Sequence, residues 1–199
     1  MTTPARRTAT RGPGLVAVAL MAALMWVLEV MDTVLDGRLD QGGIEPRDVD
    51  SLTGVVTAPF LHAGFGHLIS NTVPFLVLGA LIALSGLVRV LKVTAIVVLV
   101  GGLGTWLVAP SSTMHLGASI LVFGYAAYLI ARGLFDRGFV SLAVGVAVAV
   151  VYGSALLVGL VPRPGISWQG HLFGALGGLV AARVLAGPRR EAASATASA

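Results

Sequence analysis

The chain contains no cysteine and very little charge among its 199 residues. Without cysteine it forms no disulfide and uses no thiolate, either as a nucleophile or as a metal ligand. Acidic and basic residues together make up 11% of the sequence, well below the roughly 25% that is usual for soluble domains. Apolar residues, in contrast, make up 56%. This composition is typical of an integral membrane protein and excludes an ordinary soluble enzyme.

The few charges are placed in a way that argues against a nucleic-acid-binding surface. The formal net charge is +4, but the basic residues fall at the ends of apolar runs and do not form one polar face. Lys92 is the only lysine, and the excess of arginine, alanine, glycine and valine fits a GC-rich bacterial genome. We therefore predict a multi-pass protein of the bacterial plasma membrane. Its partner is the lipid bilayer, and we expect it to bind no nucleic acid.

Six apolar runs are close to the length of about 20 residues that a membrane-spanning helix needs. We therefore predict an all-α, polytopic membrane protein, a bundle of six transmembrane helices within a domain at 14–187. A cytoplasmic segment at 1–13 precedes this domain, and a disordered cytoplasmic tail at 188–199 follows it. The predicted spans are 14–35, 67–88, 90–109, 116–133, 139–161 and 168–186.

The first run also has the basic start and apolar stretch of a cleaved signal peptide. Against this alternative, the run continues past Glu29 as far as Leu35, and it shows no convincing cleavage site with small residues. We therefore treat the first run as a membrane span.

The basic residues set the predicted orientation, because cytoplasmic segments of membrane proteins are rich in lysine and arginine. With a cytoplasmic N-terminus, ten of the thirteen basic residues lie inside, and both termini are cytoplasmic. The first outer loop is acidic, with Asp36, Asp40, Glu45, Asp48 and Asp50. The basic residues predicted inside are Arg6, Arg7, Arg11, Arg89, Lys92, Arg132, Arg137, Arg183, Arg189 and Arg190.

Polar side chains occur near the outer ends of three spans in this orientation. His67 and Asn71 lie near the start of the second span, Ser119 near the start of the fourth, and His171 near the start of the sixth. At a rise of 1.5 Å per residue, each lies within roughly 10 Å of the outer surface. Such groups are costly in hydrocarbon and usually mark a functional site. Their shared depth predicts that they meet.

These residue types fit acyl transfer by an activated serine. A serine hydroxyl is a poor nucleophile until a base removes its proton, and His171 is the candidate base. His67 and Asn71 are four residues apart on one helix face, so both are candidate hydrogen-bond donors to an oxyanion. No acidic residue lies near the outer ends of the fourth and sixth spans, which predicts a dyad and not a triad. Phe123, one turn after Ser119, is placed to pack on the His171 ring.

Small residues indicate that the fourth and sixth helices approach closely. Gly170, Gly174 and Gly178 form a stripe at intervals of four, and Gly117 and Gly124 lie on the fourth span. Such stripes allow helix backbones to come near enough for short side chains to reach across the interface.

Taken together, these residues resemble the rhomboid family of intramembrane serine proteases, over about residues 59–178. The resemblance implies that Ser119 is the nucleophile and His171 the general base. It also implies that His67 and Asn71 stabilise the oxyanion, and that the substrates are transmembrane segments of other membrane proteins. The three motifs that carry the resemblance are His62-x4-His67-x3-Asn71, Gly117-Ala118-Ser119 and Gly170-His171-x2-Gly174-x3-Gly178.

The sequence departs from the family pattern at one residue and in one loop. Ile120 follows the nucleophile where the family usually has glycine, and its branched side chain is expected to narrow the space near the oxyanion or the substrate. The first outer loop lacks the family's Trp-Arg pair and is expected to fold differently. The resemblance also implies that the fifth helix, at 139–161, and the loop at 162–167 form a gate and a cap.

Two other functions remain open at this stage. An inactive rhomboid-like protein would bind membrane helices without cutting them, and Ile120 is the main observation in its favour. A haem or metal protein would use the four histidines, since imidazole suits such ions. These are His62, His67, His115 and His171. Against this alternative, no His-Glu-x-x-His zinc motif is present.

We predict that no cofactor is needed. The oligomeric state does not follow from the sequence.

Overall fold

The computed structural model describes residues 11–136 and 138–186. This part of the chain is all-helical apart from loops and one isolated β-bridge, between Ile44 and His115. A short helix, α2 (Gly54–Thr57), lies in the long connection between the first two long helices. The long helices are α1 (Gly12–Val34), α3 (Phe65–Ala83), α4 (Leu87–Val108), α5 (Ser119–Asp136), α6 (Phe139–Gly159) and α7 (Trp168–Val184).

Each predicted span corresponds to one long helix, so the predicted all-α class is confirmed. Five of the six, all but α7, are long and apolar enough to cross a membrane. Helix α7 has only 17 residues, which is at the lower limit for a span. Most of the predicted segment 1–13, the predicted tail 188–199 and Arg137 lie outside the described residues.

Helix α5 forms the centre of the bundle, and α6 lies at its edge. The rings of Tyr125 on α5 and Phe75 on α3 are stacked with centroids 5.7 Å apart, and the Tyr125 hydroxyl lies 2.6 Å from the hydroxyl of Thr94 on α4. In contrast, Gly145 and Val148 are the only buried residues of α6. The apolar side chains that α6 exposes are suited to contact with lipid.

Helices α5 and α7 touch through their backbones, as the glycine stripe predicts. A Cβ atom on Gly174 would collide with the carbonyl oxygen of Ile120, and one on Gly178 would collide with that of Gly124. The stripe is shorter than predicted, however, because Gly170 faces the Ser167 hydroxyl, which would lie 2.7 Å from its Cβ. Two glycines therefore make the close contact, and the third leaves room for a polar side chain.

Arginine side chains tie the helices together at the end of the bundle where α3, α5 and α7 terminate. Arg89 donates a hydrogen bond of 2.6 Å to the carbonyl of Leu185, directly after α7. Arg132 donates to the Ser85 hydroxyl at 2.8 Å and pairs with Asp136 at 2.6 Å. Cations are favourable at helix C-termini, where carbonyl groups lack partners.

The loop between α1 and α3 is anchored at the other end of the bundle by an arginine and a tryptophan. Arg47 donates to the carbonyl of Leu107 and to the hydroxyl of Ser111, both at 3.1 Å. The indole of Trp106 donates to the carbonyl of Asp48 at 2.8 Å. This loop therefore has a Trp and an Arg as anchors, although they come from separate segments and not from one sequence motif.

Candidate active site

Ser119 is the first residue of α5, and the two residues before it hold a tightly constrained backbone. Gly117 has φ +118°, a conformation that residues with a Cβ rarely adopt. A Cβ at this position would also lie 2.5 Å from the His67 ring. Glycine is thus needed both for the turn into α5 and for the contact with α3. Ser119 itself is half-buried.

His62 holds this turn from the other side. Its Nε2 atom accepts a hydrogen bond of 3.1 Å from the backbone N–H of Ala118, so the ring proton is on Nδ1. Burial and the nearby His67 lower the pKa of His62 to about 4, so the ring is neutral at pH 7. From its buried position, His62 therefore supports the backbone of Ala118, the residue before Ser119. His62 lies in the loop before α3, and its side chain is buried.

His67 and Asn71 occupy one face of the first two turns of α3. The Asn71 amide donates one hydrogen bond, of 3.2 Å, to the carbonyl of His67, which leaves its second N–H for another acceptor. The ring of His67 meets that of His62 edge-on, with centroids 5.2 Å apart. Asn71 is buried and His67 is half-buried, so both are held in place while the His67 ring stays partly accessible.

His171 lies buried in the first turn of α7, with its ring fixed on two sides. Its Nδ1 lies 2.7 Å from the carbonyl oxygen of Gly159. Because a carbonyl can only accept, Nδ1 carries the proton and Nε2 is left as an acceptor in the neutral ring. The Phe123 ring stacks on the imidazole at a centroid distance of 4.0 Å and an angle of 7°. The predicted packing of Phe123 on His171 is confirmed.

Gly159, at the end of α6, belongs to this site although no sequence motif points to it. A Cβ on Gly159 would lie 3.1 Å from His171 Nδ1 and would collide with the Phe123 ring. The residue therefore supplies a carbonyl to the His171 ring and has no side chain that would separate α6 from α7. A backbone acceptor leaves no signal in the residue type, so only the fold could reveal it.

The predicted site residues gather at one end of the bundle, where α3, α5 and α7 begin. The His67 ring touches Gly117, two residues before Ser119, and Phe123, one turn after Ser119, covers the His171 ring. Within the described residues no hydrogen bond joins the Ser119 hydroxyl to His171. Catalytic hydrogen bonds are often long without substrate and tighten when it binds.

A small cleft opens beside Ser119, with space for about one water molecule. Ile120, Gly117 and Gly170 form part of its wall, together with side chains from the loop between α1 and α3. Ser119 therefore borders a space that a water molecule can occupy.

The side chain of Ile120 is accommodated mainly by glycine on neighbouring helices. Its Cδ1 and Cγ1 atoms would lie 2.6 and 2.7 Å from a Cβ on Gly101, and its Cγ1 is 3.1 Å from one on Gly174. The branched residue thus occupies space that Gly101 on α4 leaves open. Ile120 also lines the cleft, but its Cγ1 and Cδ1 atoms lie beside glycines of α4 and α7.

In residues 11–136 and 138–186, no group of three or more histidine, aspartate or glutamate side chains is arranged to hold a metal ion. The histidines are used differently: His62 supports a backbone turn, and His171 bonds to a carbonyl. The haem or metal alternative therefore gains no support from their arrangement.

Comparison with known proteins finds one family and several bacterial relatives. A family model described as the Rhomboid domain matches residues 49–188. An uncharacterised protein of Mycobacterium tuberculosis, Rv1337, is 44% identical over 202 residues, which cover 96% of this chain and 84% of that protein. ML1171, an uncharacterised protein of Mycobacterium leprae, is 43% identical over 187 residues, with coverage of 89% and 74%. A Bacillus subtilis protein named "Putative rhomboid protease YdcA" is 31% identical over 127 residues, which cover 63% of each chain.

Proposed function

This chain belongs to the rhomboid family, and we propose that it is an intramembrane serine endopeptidase that cleaves transmembrane segments of other membrane proteins. The observation that carries the proposal is the state of His171. Its proton is held on Nδ1 by Gly159, its ring is clamped by Phe123 from the helix of Ser119, and its Nε2 is left to act as a base.

The proposed reaction is acyl transfer through a Ser119–His171 dyad. The Ser119 hydroxyl attacks the peptide carbonyl carbon while His171 Nε2 takes its proton, and a tetrahedral intermediate forms. The C–N bond then breaks, and the leaving amine receives the proton from His171. Water attacks the acyl-enzyme with the help of His171, the bond to Ser119 breaks, and the proton returns to the Ser119 oxygen.

The negative charge on the intermediate is proposed to lie at the start of α5, facing α3. The backbone N–H of Ser119 is at a helix N-terminus, where such groups lack intrahelical partners and favour negative charge. The second N–H of the Asn71 amide and the His67 ring are the proposed side-chain donors. The Ala118 N–H cannot contribute, because it is already bonded to His62.

A backbone carbonyl is proposed to do here what a carboxylate does in a catalytic triad. In a triad, the third residue holds the histidine in the correct tautomer and orientation. The Gly159 carbonyl fixes the same tautomer of His171, and the Phe123 ring fixes the plane of the imidazole. A carbonyl dipole stabilises the imidazolium less than a full negative charge does. The rate of the proposed reaction therefore depends more strongly on how His171 is placed relative to Ser119.

We further propose six membrane spans, with α7 as a short sixth span shielded by α4 and α5. The arginines at the end of the bundle opposite the site then lie in the cytoplasm, together with both termini. The site opens to the exterior of a bacterial plasma membrane, where water can reach it. In this arrangement, residues 14–187 form the membrane domain, flanked by a cytoplasmic segment at 1–13 and a tail at 188–199.

The test compares wild type with Ser119→Ala and His171→Ala in detergent or liposomes. A transmembrane substrate with a helix-destabilised segment should be cut by wild type, and a fluorophosphonate probe should label Ser119. Each substitution should lower cleavage by roughly 10⁴-fold or more, because the nucleophile or its base is lost. Thermal unfolding midpoints near that of wild type serve as the control for folding.

Two outcomes would reject the protease. Cleavage that persists in Ser119→Ala would remove the proposed nucleophile. A folded wild type that is neither labelled nor active, but still binds the substrate helix, would support the alternative of an inactive helix-binding protein.

A further inference from the structure

His115 joins three segments at the site end of the bundle, and the proposed dyad does not use it. It lies in the loop between α4 and α5 and is 8% exposed. Its backbone pairs with Ile44 through hydrogen bonds of 2.8 and 3.0 Å in the two directions. In its ring, Nε2 is 2.7 Å from Thr113 Oγ1 and Nδ1 is 2.7 Å from Ser167 Oγ.

One arrangement of protons satisfies this polar chain. The Thr113 hydroxyl donates to the carbonyl of Pro110 at 2.6 Å, so it accepts from His115 Nε2–H. His115 Nδ1 then accepts from the Ser167 hydroxyl. The Ser167 oxygen in turn accepts from the backbone N–H of Gly170 at 3.3 Å, as the N-cap of α7. Every donor in the chain has an acceptor when His115 is neutral.

The spacing of this contact relates it to the proposed active site. His115 lies four residues before Ser119, and Ser167 lies four residues before His171. The ring therefore connects the segment that leads into the nucleophile with the cap of the helix that carries the base. Within the described residues, no other side chain–side chain hydrogen bond joins the segment at 109–118 to the start of α7.

We propose that His115 is a positioning residue, whose bond to Ser167 fixes the start of α7, and with it His171, relative to Ser119. This inference rests on the proposed function, because it concerns the placement of that nucleophile and base. A dyad without a carboxylate is sensitive to such placement, since a displacement of about 1 Å can lower a rate by roughly 100-fold.

The two ring nitrogens allow a matched pair of variants. An asparagine amide can take the place of Nδ1, so His115→Asn retains a partner for Ser167. A glutamine amide extends to the place of Nε2, so His115→Gln retains only the partner for Thr113. Similarly, Ser167→Thr retains the hydroxyl and the N-cap, whereas Ser167→Ala removes both. Comparing the variants within each pair distinguishes loss of the hydrogen bond between His115 and Ser167 from a change in side-chain volume at a buried position.

The main measurement is turnover of a transmembrane substrate, with the rate of fluorophosphonate labelling of Ser119 as a second readout. His115→Gln and Ser167→Ala should lower kcat and the labelling rate by about 10- to 100-fold, with KM within about twofold of wild type. His115→Asn and Ser167→Thr should remain within about threefold of wild type. The double variant His115→Gln, Ser167→Ala should be about as active as the less active of the two single variants, because the bond between His115 and Ser167 is already lost in each of them.

A measurement without activity separates this inference from the proposed function. Hydrogen exchange followed by mass spectrometry should show faster exchange at 167–171 in His115→Gln than in wild type, with no change around Leu185 at the far end of α7. If wild type neither cleaves nor labels, the protease proposal fails and this exchange result alone decides the positional role. Equal exchange in His115→Gln and wild type, or equal labelling where wild type is active, would overturn the role of His115.

Discussion

The four histidines have different tasks at the residue scale, and the hydrogen bonds of three of them fix which ring nitrogen carries the proton. These three are His62, His115 and His171. His62 accepts from a backbone N–H, whereas His171 donates to a backbone carbonyl. One ring therefore presents its Nε2 atom to the turn before Ser119, while the other keeps its Nε2 atom available as a base. The same residue type supports the turn before Ser119 in one place and is proposed to activate the Ser119 hydroxyl in another.

The buried position of His62 predicts a loss of stability in acid. Unfolded histidine binds a proton below about pH 6.5, whereas the folded His62 has a pKa of about 4. Between these values the unfolded chain binds more protons, so the stability of the fold decreases as the pH falls. The shift corresponds to a loss on the order of 3 kcal/mol, complete near pH 4.

His62→Gln is the matched variant, because a glutamine carbonyl can accept from the Ala118 N–H but does not titrate. Thermal unfolding midpoints in detergent, measured from pH 7 to pH 4, should fall less steeply for His62→Gln than for wild type. Burial also lowers the pKa of His115, but that contribution is common to both proteins. Identical pH profiles would mean that His62 is not the group responsible.

At the scale of elements, the end of α6 contacts the His171 ring on α7 through the carbonyl of Gly159. Gly159→Ala should push α6 away from the Phe123–His171 stack, since the new Cβ would collide with the Phe123 ring and approach Nδ1 at 3.1 Å. We expect kcat to fall about tenfold or more, because the imidazole loses its acceptor and its fixed orientation. The measurement is cleavage of the same transmembrane substrate.

Gly153→Ala provides the control on the same helix. A Cβ on Gly153 meets nothing within 4 Å, and alanine is otherwise the better helix residue. This variant should keep wild-type activity. If Gly159→Ala and Gly153→Ala are equally active, the carbonyl of Gly159 does not orient the base.

The helices were predictable from the sequence, but several contacts within the site were not. Long apolar runs fix helices wherever the solvent is lipid, and the glycines at 174 and 178 indicated the seam between α5 and α7. The contacts of Ala118 and Gly159 use backbone groups, which every residue type carries, so nothing in the sequence distinguished them. The bond between His115 and Ser167 joins loops 52 positions apart, a separation that no helical or strand period connects.

The whole molecule has two chemically different ends. The loop after α1 carries acidic residues at the site end, whereas Arg89 and Arg132 lie at the opposite end, near Leu185 and Ser85. Basic residues are retained on the cytoplasmic side of membranes, so this polarity predicts that the site opens outward. In this orientation the proposed protease would reach water, and the exposed parts of its substrates, only from outside the cell.

The absence of native cysteine makes this orientation simple to test, because a single introduced cysteine is then the only thiol. Ser112→Cys lies in the exposed loop before α5 at the site end, and Leu84→Cys lies at the opposite end, where Leu84 is 49% exposed. A membrane-impermeant maleimide should label Ser112→Cys in intact cells and Leu84→Cys only after lysis, because the lipid barrier separates the reagent from the inner end. The reverse pattern would place the proposed dyad on the cytoplasmic side, and the substrates would then have to be cut from within the cell.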